Sequence, residues 1–283
     1  MLVITGAGGQ LGRAIAHALA ERVSPATVTL GSRDPAKLGD LAAKGFRTRA
    51  VDFNVSASLE SVFDGAEAVL IISGDAPADV RIRQHRAAID AAKQARVGRV
   101  VYTSFTNPTP ASLFPFAAIH ADSEAYLKAS GLPYTILRNN QYAENINGAL
   151  AGAKATGTLA LPGAAGKVAH ITRADIAAAT AGALTQPGHA GKTYELTGPE
   201  ALNLFDIAPI LTAAWGKPVT ATDMDSEAFA KLLAARGVPA FAVDAVVRLR
   251  RAVAAGEYAA VSPDAAHLAG LPIEPMSAYA RRI

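Results

Sequence analysis

Leu2-Val3-Ile4-Thr5-Gly6-Ala7-Gly8-Gly9-Gln10-Leu11-Gly12 is the stretch that decides the fold. A short β-branched run leads straight into glycines spaced Gly6-x-x-Gly9-x-x-Gly12, and an apolar helical pattern follows at once. Between a strand and a helix, such glycines let the backbone turn tightly and approach a pyrophosphate, whose charge meets the positive helix end. Gly6, Gly9, Gln10, Leu11 and Gly12 are therefore expected to hold a dinucleotide.

Outward from this loop, β-branched runs recur at residues 2–5, 27–30, 46–51, 68–72, 99–104 and 133–138. Helical patterns fill the gaps at 11–22, 35–44, 58–63, 81–95 and 116–130, with Asp34-Pro35 placed as an N-cap and first helical residue. Ala68-Val69-Leu70-Ile71-Ile72 shows no polar alternation, which suits a parallel strand covered on both faces. The expected fold is α/β, a Rossmann-type doubly wound parallel sheet with a smaller C-terminal α/β lobe. Residues 1–150 form the dinucleotide-binding domain, joined by a returning helix at 175–185 and strand at 192–196 within about residues 172–197. The smaller lobe, 151–283, interleaves with it and carries helices at 204–215, 226–236 and 241–255 and a strand at 218–224. Residues 139–166, rich in Gly, Asn and Ala, show no clear element.

Composition narrows the function. The chain has 283 residues, 51% hydrophobic and 18% charged, which is enough to bury a core as one large domain or a domain and a half. Its net charge of +3 comes from 27 basic and 24 acidic residues without a basic block, so nucleic acid is not an expected partner. With no cysteine, disulfides and thiolate chemistry are excluded, and any redox step needs a cofactor. Apolar runs fall far short of the ~20 residues of a membrane span, and the first residues do not read as a signal peptide. A cytoplasmic protein with no membrane partner is expected; its oligomeric state stays open.

The second strand selects the dinucleotide. Sites for NAD usually carry a carboxylate at its end, about 20 residues past the glycines, to bind the ribose 2′-hydroxyl. Here it ends Gly31-Ser32-Arg33, so Arg33 offers a planar fork to a 2′-phosphate, with Ser32 and Lys37 as auxiliaries. NADPH is the expected cofactor, and Asp34 is read as a helix cap. Asp52, after the third strand, reaches an adenine or caps the turn at Asn54. Ser73-Gly74, ending the fourth strand, lie where the second ribose and nicotinamide pass.

Tyrosine-dependent short-chain dehydrogenases place a Ser after the fifth strand and Tyr-x-x-x-Lys on the next helix. Ser104 fits the first position, but the helical frame reads Phe116-Ala117-Ala118-Ile119-His120, so the tyrosine acid is absent. Tyr126 has Ser130 at the lysine position, and Tyr134 lies in a strand. Of the six histidines, His120 is the candidate to order a ribose or give a proton. His170 is a candidate pocket residue, whereas His17, His85, His189 and His267 read as structural or solvent-facing with no metal spacing. Tyr142 and Phe105 are candidate stacking walls. The catalytic candidates are thus His120, Ser104 and Tyr142, with no metal.

The glycine loop, Arg33, Gln84-His85-Arg86, Tyr102-Thr103-Ser104, Arg138-Asn139-Asn140-Gln141-Tyr142-Ala143-Glu144-Asn145 and Thr172-Arg173-Ala174-Asp175 together resemble the NmrA-like atypical short-chain dehydrogenases. Within that family they are most similar to the type 2 NAD(P)H:quinone oxidoreductases and the triphenylmethane reductases. The resemblance runs through almost the whole chain. It implies an NADPH-dependent reductase without the tyrosine acid, nicotinamide held near Ser73-Gly74 and Asn139–Tyr142, and a pocket for an aromatic or quinonoid small molecule at the sheet edge. Hydride addition to a quinone leaves a phenolate-like anion, whose acid has a pKa of about 10 by analogy with tyrosine, so it needs no strong positioned acid. Two other readings stay open: a non-catalytic dinucleotide sensor, and a carbonyl or imine reductase with another proton donor.

Overall fold

The computed structural model describes residues 1–74 and 76–283. In chain order the elements are β1 (Leu2–Ile4), α1 (Gln10–Ala20), β2 (Val28–Ser32), α2 (Gly39–Ala42), β3 (Arg47–Ala50), α3 (Ser56–Phe63), β4 (Ala68–Ile71) and α4 (Ala78–Gln94). There follow β5 (Val100–Phe105), α5 (Ala117–Ala129), β6 (Tyr134–Asn139), α6 (Asn147–Thr156), β7 (Thr158–Leu161), α7 (Arg173–Thr185) and β8 (Lys192–Leu196). The last are α8 (Leu204–Trp215), β9 (Thr220–Asp223), α9 (Ser226–Ala235), α10 (Ala240–Ala254), α11 (Asp264–Ala269) and α12 (Met276–Arg281).

Seven strands form one parallel sheet in the order β3-β2-β1-β4-β5-β6-β8. The order reverses between β1 and β4, which opens a crevice at their carboxyl ends where ligands of such sheets bind. Both faces are covered, which is why β4 reads as unbroken Ala-Val-Leu-Ile. On one face Ile4, Leu30, Leu70 and Leu137 meet Ile15 and Leu19 of α1, Ile176 of α7 and Leu268 of α11. On the other, Val3, Val69, Ile71 and Ile136 meet Leu59 and Phe63 of α3, Ile89 of α4 and Leu127 of α5. Each fully buried Leu, Ile or Phe contributes about 1.5–3 kcal/mol, so these layers hold the crevice rigid.

The second core joins Leu150 of α6, Leu159 and Leu161 of β7, Ile207 and Leu211 of α8, Phe229 of α9 and Tyr279 of α12. It is built around a two-stranded parallel sheet, with Thr158 opposite Thr220.

The structure departs from the sequence reading in three places. Residues 35–44 are not one helix: a 3-10 turn at Pro35–Leu38 gives way to the single turn of α2, started by Gly39. Residues 139–166 are not featureless, since they contain α6 and β7; α6 buries only Leu150 and Ala153 among its alanines and glycines, too few to show a period. Beyond residue 255, α11 and α12 are six residues each, shorter than a helical pattern needs to declare itself. No described helix is long and apolar enough to cross a membrane.

Candidate active site

The site begins where β1 ends. Gly6 has φ +65°, a conformation costly for a residue with a Cβ, and its carbonyl accepts from the Gly9 N–H at 3.0 Å. Ala7 N–H donates to Gly31 O at 2.9 Å, tying the loop to β2. At Gly12 a Cβ would stand 2.4 Å from Gly6 O and 2.7 Å from Ala7 Cα, so only glycine lets α1 pass this close beneath the loop. Gly9 is the N-cap of α1 and brings no side chain to it. The first helical N–H groups therefore look for partners outside the helix, which is what an anion supplies.

From this loop a cleft of about 860 Å³ runs along the carboxyl edge of the sheet. Its walls bring together Gly6, Gly9, Gln10, Leu11, Gly12, Ser32, Arg33, Lys37, Asp52, Ser73, Gly74, Ser104, His120, Asn139 and Tyr142, every residue that the sequence nominated for cofactor or catalysis.

At the β2 end, Arg33 and Lys37 are exposed cations on the cleft rim. Asp34 caps the following turn, its Oδ1 accepting from Ala36 N–H at 3.1 Å. Ser32 donates its hydroxyl proton to Asp34 O at 3.0 Å and so shapes the turn as well as lining the cleft. Asp52 Oδ1 accepts from the backbone and side-chain nitrogens of Asn54 at 2.9 and 3.0 Å, so it caps that turn while one side faces the cleft.

The other end is more deeply buried. Arg81 of α4, a residue the sequence did not single out, is 6% exposed and donates to Ser73 Oγ at 2.6 Å. It also contacts His120 Nε2 at 3.3 Å and lies over the Phe116 ring at 4.9 Å. A guanidinium only donates, so His120 Nε2 carries its lone pair and the ring proton sits on Nδ1, 2.8 Å from the Tyr102 hydroxyl. Burial, with Arg81 and then His85 as neighbouring positive or potentially positive groups, holds the His120 imidazole well below its ordinary pKa. His85 is also buried, with Nδ1 2.8 Å from Ser123 Oγ, and burial followed by Arg81 pushes it down to about 3.

Ser104, at the end of β5, donates to Glu124 Oε1 at 2.7 Å. Glu124 is gripped by Arg138 through Nε at 2.8 Å and Nη2 at 2.7 Å, and Arg138 also pairs with Glu195 at 2.9 Å. Burial works against ionisation of Glu124, but the bonds from Arg138 and Ser104 outweigh it and the carboxyl lies below its ordinary pKa. Asn139 donates to the Tyr142 hydroxyl at 3.3 Å, while its buried Oδ1 has no partner among the described residues. Arg173 lies over the Tyr142 ring at 4.7 Å, fixing that aromatic at the cleft wall.

Phe105, Phe114 and Phe116 complete an aromatic surface, with Phe105 to Phe114 at 5.2 Å and Phe114 to Phe116 at 5.3 Å between ring centroids. Phe114 was missed because nothing in its own neighbourhood marks it: the loop reaches the cleft only through tertiary contacts. The signal for Arg81 was its place three residues before Gln84-His85-Arg86, but a cation near a helix start reads as surface. His170 is corrected: it does not line the cleft, and its Nδ1 is buried without a partner among the described residues. Among those residues no group of His, Asp and Glu is arranged to hold a metal.

A family model described as NAD(P)H-binding matches residues 6–187. The chain belongs to this NAD(P)H-binding family. Quinone oxidoreductase 2 of Escherichia coli K12 is 36% identical over 239 residues, 84% of this chain and 83% of the relative. An NAD(P)H azoreductase of Xenophilus azovorans is 27% identical over 271 residues, 96% of this chain and 90% of the relative. Among solved structures, the E. coli quinone oxidoreductase complexed with NADPH superposes with a TM-score of 0.93 at 35% identity, covering 100% of this chain and 99% of that one. The Citrobacter triphenylmethane reductase complexed with NADP(H) gives a TM-score of 0.91 at 28% identity, with the same coverage. The residues present fit the family's cofactor: the glycine cradle has no room for a Cβ at Gly12, the end of α1 faces the cleft, and Asn139 offers a buried acceptor.

Proposed function

We propose that the protein is an NADPH-dependent oxidoreductase that transfers hydride to a quinone or similar conjugated small molecule. The observation that carries this reading is a single cleft joining a dinucleotide cradle to an aromatic surface on which no tyrosine acid stands, since Phe116 occupies its place. Bound there, NADPH would supply the hydride.

The chain's residues bind and orient. The loop Gly6 to Gly12 and the first N–H groups of α1 receive the pyrophosphate, and Arg33 with Lys37 meets the 2′-phosphate. Ser73, Gly74, Asn139 and Tyr142 bound the nicotinamide end. His120, neutral and with its lone pair on Nε2, is a ribose-positioning residue and holds no proton there to give. Phe105, Phe114 and Phe116 stack a flat acceptor and exclude water, and such positioning contributes up to about 7–11 kcal/mol in ideal cases. Hydride reaching a ring carbon or carbonyl oxygen of the acceptor leaves a phenolate-like oxygen, and water supplies the balancing proton.

In this reading residues 1–150 with 172–197 serve the dinucleotide, and the smaller lobe within 151–283 closes the acceptor side. The reaction takes place in the cytoplasm on a small aromatic or quinonoid molecule. The test is turnover of NADPH by purified protein with a p-quinone. A dinucleotide sensor would bind NADPH and leave the quinone unreduced, and a carbonyl reductase would also turn over unconjugated ketones.

A further inference from the structure

Ser104 stands at the position after the fifth strand where tyrosine-dependent short-chain dehydrogenases place a serine, and here its single proton is already committed. It points to Glu124 Oε1 at 2.7 Å, and a carboxylate can only accept. Glu124 itself is 3% exposed and fixed by two bonds from Arg138, so the carboxylate cannot swing away and release that proton. What Ser104 turns to the cleft is therefore its lone pairs. His120 on the next helix offers no competing donor, since its Nδ1 proton faces the Tyr102 hydroxyl and its Nε2 lone pair faces Arg81.

A hydroxyl that turns only lone pairs to the cleft repels a carbonyl oxygen and selects N–H or O–H groups. A quinone has none of these. The nicotinamide half of the dinucleotide has both, in its carboxamide and its ribose. We infer that Ser104, polarised by Glu124, is a positioning residue that accepts a hydrogen bond from a donor on the nicotinamide nucleoside and takes no part in binding the acceptor's oxygen. This assignment rests on the reading that the cleft holds NADPH.

The experiment is titration calorimetry of wild type and Ser104→Ala with three ligands: NADP⁺, its 3-acetylpyridine analogue, which lacks the amide N–H, and 2′,5′-ADP, which lacks the nicotinamide nucleoside. The substitution removes one oxygen and leaves Glu124 on both Arg138 bonds, so the fold is retained. NADP⁺ affinity should fall about five- to tenfold, the worth of one neutral hydrogen bond, while 2′,5′-ADP is unchanged. If the analogue is spared, the donor is the carboxamide; if it weakens with NADP⁺, the donor is the ribose. Unchanged NADP⁺ affinity, or an equal loss for 2′,5′-ADP, overturns the inference. Because these are binding measurements, they stand apart from any failure to reduce a quinone.

Discussion

In the proposed function Arg33 carries the choice between the two dinucleotides, because it is the cation at the end of β2, where a carboxylate would otherwise bind a ribose hydroxyl. A charge-assisted bond of about 1.5–3 kcal/mol corresponds to roughly ten- to 150-fold. Arg33→Ala should remove most of the preference for NADPH over NADH, read as the ratio of the two dissociation constants; an unchanged ratio would assign the preference elsewhere. His120 yields a prediction about pH. Its imidazole is held well below its ordinary pKa by burial and by Arg81, so it stays neutral and contributes no limb to turnover between pH 5 and 9. His120→Ala should weaken NADPH binding and lower turnover less than the general-acid factor of about 10²–10⁴. A thousand-fold fall in turnover with intact NADPH affinity would make it the proton donor. At this scale the sequence was informative wherever a residue's place on the cleft follows from its offset to a strand end, as for Gly6, Arg33, Ser73 and Ser104. It was silent for Arg81, whose buried place on the cleft depends on the inward direction of α4, and misleading for His170, whose neighbours resemble those of a site residue.

Between β5 and α5 runs the loop that carries Phe114 and Phe116, and the Glu257 carboxylate holds it at three points. Glu257 accepts from Asn107 Nδ2 at 2.9 Å, Ser112 Oγ at 2.5 Å and Leu113 N–H at 2.9 Å. Arg248 Nε adds a bond to Leu113 O at 3.2 Å, and the Tyr258 ring meets Phe105 edge-on at 5.4 Å. Glu257→Ala should therefore misplace the aromatic surface and lower kcat/KM for flat acceptors by about 10- to 100-fold, the cost of an ångström-scale misplacement. NADPH affinity should not change, because the glycine cradle lies on the other side of the cleft; an equal loss in both would show that the loop supports the whole site. Strands β1, β2, β4, β5 and β6 were legible because a two-sided sheet demands continuous apolar runs. Helix α6 and strand β7 were not, because they sit in a small core where a few contacts such as Leu150 and Leu159 suffice and the rest is Ala and Gly.

For the molecule as a whole, the buried imidazoles set an acid limit. His85 titrates at about 3 in the fold against 6.5 in the unfolded chain, so between these values the unfolded state binds the extra proton and stability falls as pH falls. At pH 5 the loss from His85 is about 2 kcal/mol, and His120 adds to it in the same direction. Urea unfolding should show a midpoint that drops between pH 7 and pH 5, and His85→Gln should flatten that drop; a midpoint constant over this range would contradict the neutral burial of both rings. The seven-stranded sheet, its switch point and the cleft above it follow from the alternation of short apolar strands and helices. The aromatic surface follows only in part: Phe105 was legible at the end of β5, but Phe114 and the Glu257 that holds its loop approach it only after both cores have formed. The most direct test of the account is stopped-flow oxidation of NADPH and of NADPH deuterated at the transferred position, by purified flavin-free protein and a p-quinone. One hydroquinone should form per NADPH consumed, with slower transfer of deuterium. NADPH bound but not oxidised above the rate in buffer, or a semiquinone radical as the main product, would contradict it.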